Sequence, residues 1–196
     1  KEKVDAVKFQ TFKAKTLALE NTPKVDYQMK TKNDKESHYE MLKKLELSRA
    51  DHKYLINYCK KKGIEFISTP YDVESAKFLV SLNVNTIKVA SADLTDFFLH
   101  EYLSKTNKKI IISTGMSSMQ EIKKTLQLYK KKNNISLLHC VSNYPCSYES
   151  LNLNCLEKLK KFKCKIGFSD HSKDYLASVV AISKGAQIIE RHITLD

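Results

Sequence analysis

Two histidines close the last two apolar runs of the chain. In GFSDHS (167–172) and IIERHI (188–193), a β-prone run ends at His171 and at His192, 21 residues apart. If the two runs are neighbouring parallel strands ~4.8 Å apart, imidazoles at equal depth can share one ion at ~2.1 Å each. Two neutral imidazoles leave coordination positions for water and substrate oxygens, which suits a Lewis-acid divalent metal. One strand-end histidine alone is more often a hydrogen-bonded structural residue, so it is the pair that points to a metal. Asp170 alternates to the opposite side of its strand from His171 and is expected to cap a helix or support a ligand. One of only four glycines, Gly167, stands just ahead of this Ser-Asp-His segment.

Two lysines raise a second question. Lys8 and Lys88 each interrupt an apolar run, and an ammonium buried there needs anionic company. That company is either a carboxylate, with Asp93 and Glu190 available, or an anionic ligand. Other strand ends are also rich in polar side chains: Gln10, Thr69, Ser91, Asp93, Ser113, Ser142, Tyr144 and Ser169. Cys140 reads as a buried strand residue with nothing arranged to lower its pKa. His38, His52, His100 and His139 read as surface or core residues.

The elements that would position these groups alternate regularly. Apolar β-prone runs fall at 6–12, 65–70, 86–91, 109–115, 136–141, 165–170 and 187–193. After a long first connection they recur every ~20–30 residues, the length of a strand plus a crossover helix. Helical patterns lie between them. In SRADHKYLINYCKKKG, Ser48 can cap and Gly63 can terminate; DVESAKFLVSLN and MQEIKKTLQLYKKKN behave alike, and Gly185 is a second terminator. Continuous apolar runs indicate strands buried on both faces, hence a parallel α/β sheet. An open doubly wound sheet would announce a glycine-rich phosphate loop after its first strand, and KFQTFKAKT contains no glycine. A closed (β/α)8 TIM barrel explains why polar residues gather at the C-terminal strand ends, since these converge on one mouth.

Composition narrows the partners. The chain has 196 residues, 42% of them hydrophobic, enough for one domain core. The formal net charge of +12 invites a nucleic-acid reading. However, the lysine runs at 60–62, 130–132 and 158–165 fall at the ends of helical stretches, where they oppose the negative helix terminus. We therefore expect a lysine-rich solvated surface, no nucleic-acid partner and no membrane partner. Five cysteines without CxxC spacing suit reduced thiols and a cytoplasmic location.

In order and spacing, AVKFQTF, ESHYEMLKKLELS, FISTPYD, IKVASADLT, IISTGMSS, LLHCVSNYPCSYE, IGFSDHS and IIERHITLD resemble the sialic acid synthase (N-acetylneuraminate synthase) family. The resemblance implies a (β/α)8 barrel that condenses phosphoenolpyruvate with an N-acetylated amino sugar such as N-acetylmannosamine. The product would be a nine-carbon 2-keto acid sugar, made with the help of a divalent metal, typically Mn2+. It also implies metal ligation by His171 and His192, and phosphoenolpyruvate contacts from Lys8, Thr69, Lys88, Ser91, Ser113, Ser142 and Ser169. Gln10, Asp93 and Tyr144 match sugar-side positions. Ser142 stands where some members carry asparagine, and Asp93 where others carry glutamate. The family's first strand, with the glutamate of an AEIG motif, has no counterpart in the sequence, so the catalytic proton-transfer residue is unassigned. Nor is there a match to the C-terminal antifreeze-like domain, which lends an arginine across the family's homodimers. The expectation is residues 1–196 as a partial barrel with seven of its eight strands. Two other readings compete: a phosphoenolpyruvate-dependent barrel aldolase making 3-deoxy sugar acids, and a non-catalytic remnant.

Overall fold

The computed structural model describes residues 4–23, 37–131 and 134–194. Lys132, of the expected lysine run at 130–132, lies outside the described residues. The chain divides into two compact units, residues 1–85 and 86–196.

The first unit holds β1 (Ala6–Thr11) and β2 (Glu65–Pro70), with helices α1 (Ala14–Leu17), α2 (His38–Leu45), α3 (Arg49–Lys62) and α4 (Val73–Ser81). The two strands pair in parallel, Ala6 opposite Glu65 through Thr11 opposite Pro70. Ser48 caps α3 through a reciprocal capping box with Asp51, and Gly63 ends it in the left-handed region at φ 69°. Both are the residues that sequence singles out, for the same reason: an orphan N–H needs a side-chain oxygen, and the reversal needs a residue without Cβ. His52 is a core residue. Its Nδ1–H donates to the Ser48 carbonyl (2.8 Å), so its Nε2 accepts from Thr11 Oγ1 (2.8 Å), which in turn accepts from Ser68 Oγ (2.7 Å).

The second unit holds β3 (Thr86–Val89), β4 (Lys109–Ser113), β5 (Ile135–Cys140), β6 (Lys165–Asp170) and β7 (Ile188–Arg191). Between them lie α5 (Phe97–Ser104), α6 (Met119–Gln127), α7 (Cys155–Lys160) and α8 (Leu176–Ser183). All five strands are parallel and each neighbours the next in sequence. In such a ladder, residues in register share a face and alternate residues change face. One face carries Ile87, Val89, Ile110, Ile112, Leu137 and Phe168, each at most 1% exposed. This is the apolar core of the unit, and each such side chain contributes roughly 1.5–3 kcal/mol by burial. The other face carries Lys88, Ser113, Cys140, Ser169 and Glu190. Sequence alternation therefore separates core from chemistry.

This sheet is strongly curved. Lys88 Nζ on β3 stands 3.7 Å from Glu190 Oε2 on β7, although four strand spacings would separate the strands by about 19 Å in a flat sheet. Extended lysine and glutamate side chains cannot bridge that distance, so the polar face must be concave. The (β/α)8 expectation is thus met to the extent of parallel βα units and a curled, half-barrel sheet.

Gly167 belongs to this geometry. A Cβ there would meet the Ile188 carbonyl oxygen of β7, Leu138 Cδ2 of β5 at 2.6 Å and Ile188 Cβ at 2.8 Å. The first obstacle is backbone in a paired strand and cannot swing aside, so only glycine lets β7 come this close. Gly167→Ala should lower stability by about 1–3 kcal/mol, the usual cost of overpacking, and shift the melting temperature down. An unchanged melting temperature would show that β7 moves freely against β6.

Candidate active site on the concave face of the second unit

The site is built at the C-terminal ends of the five parallel strands. Asp170 pairs with Arg191 at the end of the β6–β7 ladder, so the next register step sets His171 beside His192. Their ring centroids are 5.4 Å apart, and Tyr144 lies 4.1 Å from the His171 centroid and 5.6 Å from that of His192. His171 Nδ1 lies 2.8 Å from the Val141 carbonyl, and the Cys146 N–H donates to the His171 carbonyl at 2.8 Å. A carbonyl can only accept, so Nδ1 carries the proton and the lone pair sits on Nε2. This is the way a metal-ligating imidazole is normally held.

These residues fit a divalent ion. The ring separation lies within the reach of two imidazoles sharing one ion at ~2.1 Å each, and His171 is fixed in the ligating tautomer. Among the described residues no group of three or more His, Cys, Asp and Glu side chains could hold a metal. A divalent ion placed here would be held by His171 and His192, with its other positions open to ligands from outside the pair.

Beside the histidines lies a buried cationic centre. The Lys88 side chain is 5% exposed; its ammonium donates to Ser113 Oγ (2.7 Å) and to the Val89 carbonyl (2.8 Å), with Glu190 as its counter-charge. Of the two carboxylates that sequence offered Lys88, Glu190 makes the ion pair. Next to it, Gly115 forms a small cradle: a Cβ there would lie 2.8 Å from Ser142 Oγ, 2.9 Å from Ser91 Oγ and 3.1 Å from the Cys140 carbonyl. Ser91 Oγ accepts the Gly115 N–H at 3.1 Å, which ties the ends of β3 and β4 together. Ser169, in register with Cys140 and Glu190, is buried.

Asp93 sits in the 3-10 turn after β3. Its Oδ2 is buried without a hydrogen-bond partner, a costly state that a ligand hydroxyl or amide would relieve. Burial, reinforced by Asp96 and opposed by Lys88, pushes its carboxyl up to about 6.

Cys140 departs from expectation. It is a buried strand residue, as read, but its surroundings do act on it. Burial pushes the thiol up, yet His171, Ser91 and the charge of Lys88 outweigh it and bring the pKa below the ordinary value. The sulfur is 4.0 Å from His171 Nδ1: Cys140 pairs with Ser169 of β6, and His171, two residues further on, shares its face.

Lys8, Gln10 and Thr69 belong to the first unit. Lys8 is not the buried ammonium that sequence suggests: with Gln10 it is exposed on one face of β1, in register with Ile67 and Thr69 of β2, so its charge stays solvated. Gln10 Nε2 donates to Tyr71 OH at 2.7 Å, and the buried Thr69 Oγ1 has no hydrogen-bond partner. Sequence reasoning missed the part played by Arg191 behind the histidines. It was within reach, because Asp170 and Arg191 each precede one of the paired histidines. Of the histidines read as surface or core residues, His100 and His139 are buried, like His52: His100 Nδ1 is 2.7 Å from Tyr129 OH and His139 Nε2 is 2.6 Å from the Leu151 carbonyl.

Comparison with known proteins places the chain in a defined group. All of residues 1–196 match the NeuB family. The chain is 42% identical over 197 residues to an N,N'-diacetyllegionaminic acid synthase of Campylobacter jejuni, covering 98% of this chain and 59% of that protein. It is 41% identical over 199 residues to the enzyme of the same name from Legionella pneumophila, covering 98% and 56%. The crystal structure of an N-acetylneuraminic acid (sialic acid) synthetase from Leptospira borgpetersenii, in complex with citrate, superposes with TM-score 0.84 at 31% identity, covering 98% of this chain and 63% of that one. The chain thus spans somewhat over half the length of these curated relatives. Among the described residues no helix is long and apolar enough to cross a membrane.

The raised pKa of Asp93 has a consequence for stability. A carboxyl that holds its proton more tightly folded than unfolded favours the folded state least once both states are ionised. Stability is therefore lost as pH rises from the ordinary carboxylate range through about 6. Asp93→Asn should remove that loss, so its melting temperature should gain on the wild type between pH 4 and pH 7. A difference independent of pH would contradict the buried, unpartnered carboxyl.

Proposed function

The chain belongs to the NeuB family, and we propose that the protein condenses phosphoenolpyruvate with an N-acetylated amino sugar to give a nine-carbon 2-keto acid sugar and phosphate. One observation carries this reading: a pair of imidazoles beside a buried ammonium, on one concave face. The ammonium suits the anionic reactant and the imidazoles suit a metal that activates the neutral one. The two relatives named above, at 42% and 41% identity, favour a sugar bearing two acetamido groups over N-acetylmannosamine itself.

Each group has a distinct task. Lys88 and Ser113 hold a phosphate or carboxylate oxygen of phosphoenolpyruvate by charge-assisted hydrogen bonds. Ser91, Ser142 and Ser169 supply hydroxyls around the same anion. Asp93 accepts from the sugar, and Tyr144 packs on the His171 ring and sets the wall of the sugar side. The same assignment extends to Lys8 and Thr69 for phosphoenolpyruvate and to Gln10 for the sugar. His171 and His192 would hold the divalent ion, Mn2+ in this reading. When bound, that ion supplies Lewis-acid polarisation of the open-chain sugar aldehyde. Held side by side, the reactants lose little further entropy as the phosphoenolpyruvate methylene carbon approaches the aldehyde carbon, a contribution of up to ~7–11 kcal/mol. Water then adds at the phosphoenolpyruvate C2 and phosphate leaves with its bridging oxygen. A homodimer is the working assembly in this proposal.

Two experiments on the full-length protein test the assignment. Either His171→Ala or His192→Ala should abolish Mn2+-dependent turnover while the fold is retained; full activity of either variant in the presence of a chelator would refute the metal role. Lys88→Met should weaken phosphoenolpyruvate binding by roughly 10- to 100-fold, the worth of a hydrogen bond to a charged group, and leave sugar binding nearly unchanged. Equal losses for both ligands in calorimetry would remove Lys88 from the anion site.

A further inference from the structure

Behind the two histidines, on the opposite side of the sheet, a buried Asp170 meets a half-buried Arg191 in an ion pair that the proposed chemistry does not use. Asp170 and Arg191 are partners in the β6–β7 register, and each immediately precedes one of the histidines. Because strand side chains alternate, the pair faces away from the concave surface while His171 and His192 emerge on it. Asp170 is fully buried, and its carboxylate accepts from Ser172 N–H (2.8 Å), from Ser178 Oγ (2.5 Å) and from Arg191 Nη1.

Arg191 does more than neutralise Asp170. Its Nη1 also donates to the Asp174 carbonyl at 2.5 Å, and its Nη2 to the Ser172 carbonyl at 3.0 Å. One guanidinium thus grips two carbonyls of the turn that follows His171, as well as the carboxylate that precedes it. Asp174 in turn accepts from Leu176 N–H (2.8 Å) at the start of α8 and from Tyr148 OH (2.5 Å). A lysine would satisfy the charge, but a single ammonium lacks the planar fork that reaches all these acceptors together.

We propose that Arg191 and Asp170 are positioning residues that lock the spacing of His171 and His192 and so preorganise the divalent-metal site. This inference rests on the metal reading given above. With His171 and His192 as the protein ligands of that reading, affinity depends on how well both are held before the ion arrives. His171 is anchored through Val141 and Cys146 on one side and through the Arg191-clamped turn on the other. The same clamp ties the end of β7, and with it His192, to that turn.

The test is Mn2+ affinity in the full-length protein, measured by the loss of the free-ion paramagnetic resonance signal, for wild type, Arg191→Lys, Arg191→Ala and His171→Ala. Arg191→Lys keeps the charge opposite Asp170 and should remain folded, with Mn2+ binding about 10-fold weaker, the lower end of what loss of a supporting contact costs a metal site. Arg191→Ala should bind more weakly still and regain affinity when guanidinium is added at concentrations that do not unfold it. Amide exchange should quicken at 171–176 in both variants and stay unchanged in α6. Wild-type affinity in Arg191→Lys at equal folded fraction, with His171→Ala defective, would overturn this inference alone. Failure of the wild type to bind Mn2+ would overturn the metal reading and this inference with it.

Discussion

The in-register parallel ladder from β3 to β7 is the constraint on which the site depends. Parallel pairing sends all five C-terminal strand ends in one direction, and the period of two sends alternate side chains to opposite faces. Polar groups on the concave face therefore gather without any one of them having to direct the fold. The apolar face supplies the free energy: Ile87, Ile112, Leu137 and Phe168 are fully shielded from water. The gathering also requires close spacing at β6, where Gly167 leaves no Cβ between Leu138 and the Ile188 backbone. A side chain there would push apart the two strands that carry the histidines.

The polar face carries buried charge that is only partly satisfied, chiefly at Asp93. Lys88 is buried; it donates to Ser113 and to the Val89 carbonyl, and Glu190 stands 3.7 Å away, longer than the 2.7–2.9 Å of a strong charge-assisted hydrogen bond. Asp93 keeps an unpartnered oxygen and a carboxyl with pKa pushed up to about 6, chiefly by burial. Groups in this condition cost the free protein stability. A hydrogen-bond donor at Asp93 would recover part of that cost on binding, which is a physical basis for reading the face as a binding site.

Much of this was legible in the sequence because it is local. The strand runs at 65–70 and 165–170 match β2 and β6 residue for residue, since apolar continuity bounded by turn residues is a near-neighbour property. The cap at Ser48 and the stop at Gly63 are equally local. The pairing of His171 with His192 was legible because consecutive βα units place consecutive strands side by side. What sequence could not show depends on curvature. Sequence offered Lys88 both Asp93 and Glu190, and Glu190 makes the ion pair only because the sheet bends through four strand spacings. The Arg191 clamp lay between these cases: its register with Asp170 follows from the histidine pairing, but its grip on the turn carbonyls depends on a loop path that no periodicity encodes.

The central claim is that His171 and His192 hold one divalent ion through one nitrogen each. Electron spin-echo envelope modulation of the Mn2+-loaded full-length protein tests it most directly, because the modulation counts directly coordinated nitrogens. The account predicts coupling to two imidazole nitrogens in the wild type, one in His192→Ala and one in His171→Ala. Bound Mn2+ showing no nitrogen coupling, or two couplings that persist in either variant, would contradict it.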